Sequence, residues 1–298
     1  IADKYDYILI NNEQELLKIV NDIPSDALVA FDTETTDVDV KKALLVGFSF
    51  AYEKDKAYYI PMNHFYLGSP TQISKECAIE AINILNRKKL ILQNFKFDYA
   101  VIKKNLEIEL KLYADTMILA WLLDSSSKIG LDFLANKYFN HKMIAFKDVV
   151  KKGEDFSNVD ISNACDYAAE DALMTLKLFN KQLELFKEKN SEELLKLAFD
   201  LEFDFIYVLA NMESNGIKID VNLLKELKET NNKYIQELTT KIYETSGVEF
   251  NINSPKQLGV VLFETLGLPT AISKPSRRMF SIRTPIWSSP RPDTSKAS

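Results

Sequence analysis

The chain has 298 residues, 46% hydrophobic and 27% charged, with only 8 Gly and 9 Pro. These values exclude collagen-like, low-complexity and wholly disordered classes and predict about two globular domains. Two cysteines (Cys77, Cys165) and two histidines (His64, His141) are too few for a Cys/His zinc site or a disulfide framework, so any metal is expected on oxygen ligands. The net charge of −6 argues against a protein that wraps a long duplex through many phosphates, but not against one that grips a short strand. No apolar run approaches the roughly 18 to 20 residues of a membrane span, and the opening IADKYDYILI lacks the features of a signal peptide, so a cytoplasmic location is expected.

In chain order, the apolar runs Ala27 to Phe31, Leu44 to Tyr52 and Ala57 to Ile60 read as three strands with short polar gaps, the pattern of an antiparallel meander. Helical spacing of Ile73, Cys77, Ile79, Ala81, Ile82 and Leu85 then predicts a helix over 72–87, followed by a fourth strand at Leu90 to Leu92. Helices are expected near 97–105, 115–123, 131–139 and 161–187, which makes the fold a mixed α/β layer. From Glu193 the pattern becomes long amphipathic helices. Leu194, Leu197, Leu201, Phe205, Val208 and Met212 mark one apolar face, and Asn215-Gly216 supplies a stop. Asp220 caps a helix running to Ser246-Gly247. Ser254-Pro255-Lys256-Gln257 combines a capping box with Pro at the first helical position, and Gly267 ends that helix. Residues 271–298 carry six basic and one acidic residue, seven Ser and four Pro, and Arg there outnumbers Lys; in the first 270 residues Arg occurs once. This tail reads as disordered or foreign to the fold.

Three segments carry candidate chemistry. Asp32 and Glu34 end the first strand as Asp-Thr-Glu-Thr, and residues two apart on an extended chain share a face. Such close carboxylates repel unless one is protonated or a hard divalent cation, Mg²⁺ or Mn²⁺, joins them. Taken alone, Asp-x-Glu at a strand end is usually a turn or helix cap. Gln93-Asn94-Phe95-Lys96-Phe97-Asp98 follows the fourth strand and opens a helix, where Asn94 suits an N-cap and Asp98 suits the helix dipole. In Asp166-Tyr167-Ala168-Ala169-Glu170-Asp171, Tyr167 and Asp171 lie four apart beside an apolar face of Cys165, Ala168, Ala172, Leu176 and Phe179.

Jointly, a strand Asp-x-Glu, an Asp after a later strand and a Tyr-x-x-x-Asp on a final helix resemble the DEDD exonucleases, in the subclass with a tyrosine before the last aspartate. From about residue 20 to 270 the chain is most similar to the proofreading domain and first thumb helices of the DNA polymerase I family (family A). Further matching segments are Ile60-Pro61-Met62-Asn63-His64, His141-Lys142-Met143-Ile144-Ala145-Phe146, Asn215-Gly216-Ile217-Lys218-Ile219-Asp220 and Phe250-Asn251-Ile252-Asn253-Ser254 before Lys256-Gln257-Leu258. Ribonuclease D-like enzymes share the carboxylates but not these last segments.

The resemblance implies a ribonuclease H-like mixed sheet with flanking helices and then a small all-helical segment. Its domains would be a 3′-5′ exonuclease over 1–190, an incomplete polymerase thumb over 191–270 and the non-homologous tail. It implies two divalent ions on Asp32, Glu34, Asp98 and Asp171, with Tyr167 orienting the attacking water. Phe146 would stack on terminal bases, and Thr33 and Asn94 would contact the 3′ terminus. By its own pattern Phe146 is as easily a core residue. The expected partners are single-stranded or frayed DNA 3′ ends, with no membrane, and the chain is expected to be a monomer. It opens on Ile and carries none of the palm or fingers of the family, which marks it as an excerpt without a polymerase site. A silent DNA-binding scaffold is the alternative reading, since some members keep the fold without its carboxylates; all four are present here. A ribonuclease acting on structured RNA would need an RNA-binding helical domain in place of the thumb-like helices. Elsewhere, His64 and His141 read as hydrogen-bonded structural groups and Asp115 as the N-cap of the helix beginning at Thr116.

Overall fold

In the computed structural model, which describes residues 5–269, strand β1 (Asp6–Leu9) and helix α1 (Glu13–Asp22) precede the expected meander of β2 (Leu28–Thr35), β3 (Leu45–Glu53) and β4 (Lys56–Pro61). Helix α2 (Lys75–Leu85), strand β5 (Lys89–Leu92), helix α3 (Phe95–Leu106) and strand β6 (Leu112–Asp115) follow, then α4 (Thr116–Leu123), α5 (Leu131–Phe139), α6 (Phe146–Val149) and α7 (Ile161–Glu188). The sheet order is β1-β4-β3-β2-β5-β6. The meander is antiparallel, while β1 joins β4, and β5 and β6 extend β2, in parallel. β1 and β6 go beyond the four expected strands. Each is a four-residue edge strand, too short for an alternating pattern to register. The tail from residue 271 lies outside the described residues.

Register sorts the meander into two chemically different faces. Asp32 pairs with Ser49 and Glu34 with Gly47, and Ser49 pairs in turn with Tyr59. The alternate residues Phe31, Phe48, Phe50 and Tyr58 are buried on the other face. There the Phe31 and Phe48 rings stack at 5.6 Å and those of Phe50 and Tyr58 at 4.9 Å. The first face belongs to α7, which packs across β1 to β5. Its small buried residues Ala164, Cys165 and Ala168 meet Tyr59 and Val46, so the helix lies close enough for Asp171 to reach the strand carboxylates. Gly47 is required for the same approach: a Cβ there would overlap the Tyr59 hydroxyl and the Ile60 carbonyl.

Two compact units divide between Ile217 and Lys218, so the first extends beyond the expected boundary after residue 190. Helices α8 (Glu192–Leu197) and α9 (Phe203–Asn215), joined by a π-helical turn at Ala198–Glu202, belong to it. The Tyr207 hydroxyl accepts from the Leu112 amide at 2.8 Å and donates to the Leu110 carbonyl at 3.1 Å. Ala198, Phe203, Ile206 and Ala210 are buried in the core. The apolar face from Leu194 to Met212 is exposed, with Met212 at 63% and Leu201 at 55%. These helices are apolar on two sides. The buried side is the one whose aromatics reach Phe95 and Tyr99, and whose tyrosine finds two backbone partners on β6 and the residues before it.

The second unit is helical, with α10 (Val221–Ser246), α11 (Pro255–Val260) and a π-helical turn at Val261–Thr265. Asp220 caps α10 by accepting from the Asn222 and Leu223 amides, as its position predicted. The capping box at Ser254 is half formed. Its hydroxyl accepts from the Gln257 amide, but Gln257 Oε1 turns to the Asn251 amide at 2.8 Å.

Candidate active site

Asp32 and Glu34 point from the end of β2 toward α7, where Asp171 completes a set of three carboxylates whose nearest oxygens all lie within 4.8 Å of one another. Asp98, in the first turn of α3, stands outside that trio and is buried. It accepts from the Thr33 hydroxyl at 2.5 Å. All eight residues singled out in the sequence line one cavity of about 480 Å³: Asp32, Thr33, Glu34, Asn94, Asp98, Phe146, Tyr167 and Asp171. Thr35, Thr36, Asp37, Gln93, Phe97, Glu154 and Asp155 complete the wall together with Val38.

Burial raises the pKa of each of the four carboxyls, that of Asp32 to about 7. After burial, Asp32 is the leading charge that disfavours ionisation of Glu34, Asp98 and Asp171. No lysine or arginine among the described residues offsets this repulsion. Glu34 Oε1 is buried without a hydrogen-bond partner, an arrangement that costs free energy unless something binds it. An all-oxygen donor set with an unspent buried lone pair fits a hard divalent cation.

The tyrosine and phenylalanine sit above this set. Tyr167 lies one turn before Asp171 on α7, and burial together with the charge of Asp171 drives its phenol well above the ordinary tyrosine range, so the hydroxyl keeps its proton. Its ring lies 5.7 Å from that of buried Phe156, and the Phe146 ring meets it edge-on at 6.3 Å. Phe146 is 52% exposed, which removes the reading of it as a core residue.

Local structure explains how Asp98 is delivered. Asn94 occupies the N-cap position of α3 in the left-handed region, φ 72°, and its side chain makes no capping bond. The cap comes from Asp115 instead. Its carboxylate accepts from the Asn94 and Phe95 amides at 3.2 and 2.8 Å, and also from the Met117 and Ile118 amides of its own helix α4. The sequence identified Asp115 as one cap; it is two, because β5 and β6 are parallel neighbours and both helices start at the same end of the sheet. The Thr33 hydroxyl, expected at the 3′ terminus, is engaged by Asp98. No sequence signal marks that bond, which joins residues 65 apart.

The two histidines are structural, as expected. His64 Nδ1 donates to the Val159 carbonyl at 2.9 Å and Nε2 accepts from the Tyr59 hydroxyl at 2.6 Å, an assignment fixed because a carbonyl can only accept. Burial lowers its pKa to about 4. His141 donates to Glu170 at 2.8 Å.

A family model described as 3′-5′ exonuclease matches residues 7–186, and one described as DNA polymerase family A matches residues 221–285. DNA polymerase I of Borreliella burgdorferi is 37% identical over 265 residues, covering 88% of this chain but 28% of that protein. The chain therefore spans under a third of that relative's length. Among solved structures, the POL domain of Pol1 from M. smegmatis in complex with DNA primer-template and dNTP superposes with a TM-score of 0.65 at 20% identity, covering 90% of this chain and 42% of that one. A nuclease in its apo form superposes at 0.52 and 17% identity, covering 74% of this chain and 98% of its own. The fold class is ribonuclease H-like, as the motifs implied. No helix among the described residues is long and apolar enough to cross a membrane.

Proposed function

The chain belongs to the 3′-5′ exonuclease family whose model matches residues 7–186, and on that premise we propose that it removes nucleotides hydrolytically from DNA 3′ ends by a two-metal mechanism. The observation that carries this reading is the convergence of Asp32, Glu34 and Asp171 within 4.8 Å, with no lysine or arginine among the described residues balancing Glu34. Close buried carboxylates stay jointly ionised only around a positive charge. Asp32, Glu34 and Asp171 would hold one Mg²⁺ or Mn²⁺, and Asp32 with Asp98 a second. Two such ions supply an activated water and stabilisation of the leaving 3′ oxygen.

The chain's own groups divide the remaining work. Tyr167, held in its neutral form, orients the attacking water by a hydrogen bond and does not act as a base; a hydrogen bond to a charged nucleophile is worth about 1.5 to 3 kcal/mol, about 10- to 150-fold in rate. Phe146 offers its exposed ring to the terminal base, where stacking is worth about 1 to 3 kcal/mol. Asn94, its side chain free of any cap, faces the terminal sugar, and Thr33 serves by fixing Asp98. A pocket that receives an unstacked base favours single-stranded or frayed ends, since unpairing costs free energy that a frayed end has already lost.

The test is incubation with 5′-labelled DNA and RNA oligonucleotides, paired and unpaired, with Mg²⁺, Mn²⁺ or chelator. The expected result is a metal-dependent ladder shortening from the 3′ end, faster on unpaired DNA. Binding without product under any metal would overturn the reading in favour of a silent scaffold.

A further inference from the structure

Glu170 is a buried carboxylate beside the site that the chemistry above does not use. It precedes Asp171 on α7. Its Oε1 accepts from His141 Nε2 at 2.8 Å and its Oε2 from the Ile144 amide at 2.7 Å. Both oxygens are thus committed to the stretch between α5 and α6, residues 141–145, which has no helix or strand of its own. The next residue is Phe146. Tyr167 lies three positions before Glu170, on the neighbouring turn of the same helix. One rigid helix therefore fixes Tyr167 and Glu170, and Glu170 fixes the segment that ends in the ring facing Tyr167 at 6.3 Å.

We propose that Glu170 is a positioning residue: it clamps residues 141–145 so that the Phe146 ring, in edge-on contact with Tyr167, is held in place as the stacking surface for the terminal base of the substrate strand. This rests on the reading of the cavity as an exonuclease pocket. Hydrogen bonds to a carboxylate are among the stronger ones and are directional, and two of them on one short segment define its place better than apolar contact does. The surroundings agree. The His141 ring is packed edge-on against Tyr5 at 5.9 Å while its Nε2 donates to Glu170. The Phe146 ring is half exposed and gains little from burial, so its placement depends on the backbone that carries it.

The experiment uses the full chain with Glu170→Ala, Glu170→Gln, His141→Ala, Phe146→Ala and the Glu170→Ala/Phe146→Ala double variant. Single-turnover cleavage in Mn²⁺ is measured on single-stranded DNA ending in an ordinary or an abasic 3′ nucleotide. Stacking of one base is worth about 5- to 150-fold in affinity. Glu170→Ala is expected to raise the half-saturating concentration for the base-ended strand within that range, with a smaller effect on the maximal rate. The preference for the base-ended over the abasic strand should shrink as it does in Phe146→Ala, and the double variant should add nothing further. Glu170→Gln, with one carbonyl acceptor left, and His141→Ala, with one of two donors lost, should fall between; they also serve if the alanine variant fails to fold. An equal loss on both strands, or independent effects of the two alanines, would overturn the proposal. Limited trypsin digestion without nucleic acid reads the clamp directly at Lys142 and Lys147. Cleavage there should rise several-fold in the Glu170 variants, and unchanged protection would refute the clamp. Wild-type protein that cuts no strand in Mn²⁺ would instead refute the exonuclease reading, and digestion would still decide whether Glu170 holds the segment.

Discussion

The cluster of raised carboxyls makes the metal-free protein's stability fall as pH rises, and Asp32 allows the size of the effect to be worked out. Its ordinary value is 3.8, and burial pushes it up to about 7 in the fold. Between those values the folded state holds a proton that the unfolded state has released. Folding is therefore favoured at the acid end, and that advantage is lost as pH rises through 7. About three pH units at about 1.36 kcal/mol each gives a ceiling of about 4 kcal/mol, and at about 2 to 4 °C per kcal/mol for a domain of this size, a Tm shift of at most about 8 to 16 °C. Glu34, Asp98 and Asp171 shift in the same direction. His64 opposes them. Its folded pKa of about 4 lies below its ordinary 6.5, so its contribution grows as pH rises through that interval. Comparing wild type with Asp32→Asn cancels the histidine. The assay is thermal unfolding in chelator at pH 5 and pH 8 for both proteins. The variant should be the more stable at pH 8 by several degrees, and the difference should shrink at pH 5. Adding Mn²⁺ at about 100 times its Kd should return about 2.7 kcal/mol to the wild type at pH 8 and much less to the variant. A variant that melts at or below wild type in chelator at pH 8 would refute the claim that these carboxylates repel one another in the fold.

Tyr167→Phe keeps the ring against Phe156 but removes the hydroxyl. Single-turnover cleavage should fall about 10- to 150-fold, less than for Asp32→Ala or Asp171→Ala, and wild-type rates would reduce the tyrosine to a packing residue. Asp115→Ala strips the caps of both α3 and α4 and leaves buried amides unpaired. Urea denaturation should show a loss of about 2 to 4 kcal/mol, and a loss under about 1 kcal/mol would contradict the double cap. Gly47→Ala forces the Tyr59 ring from its place above the strand and should cost about 1 to 3 kcal/mol; an unchanged Tm would mean that β3 and β4 yield without strain.

The parts of the fold that were legible in the sequence were those where one residue class repeats at one period. LLVGFSFAY in β3 is buried through most of its length and stands out as an apolar run, while the face of α7 can be counted off at Cys165, Ala168, Ala172, Leu176 and Phe179. What escaped was decided by competition between surfaces. In α8 and α9 the Leu194 to Met212 stripe is the more hydrophobic in composition. The packed face is nevertheless that of Phe203, Ile206, Tyr207 and Ala210, because only there does a tyrosine hydroxyl satisfy both the Leu112 amide and the Leu110 carbonyl. Periodicity shows that a helix has an apolar side; it does not say which of two will be covered.

The site divides along the same line. Asp32, Glu34, Asp98 and Asp171 were picked out by the joint resemblance of their three segments to the exonuclease family, since each segment taken alone reads as a cap, a turn or a surface pair. Their supports were not, because each is a contact between residues far apart in the chain: Thr33 to Asp98, Asp115 to the start of α3, Glu170 to His141 and Ile144. These supports share one chemistry. In every case an acidic side chain spends its lone pairs on donors of a neighbouring element, whereas Glu34 Oε1 is buried with none. An orphaned oxygen beside two more carboxylates marks where the fold leaves coordination open; burial and a raised pKa do not mark it by themselves, because Asp115, whose carboxylate is spent on the starts of two helices, has both.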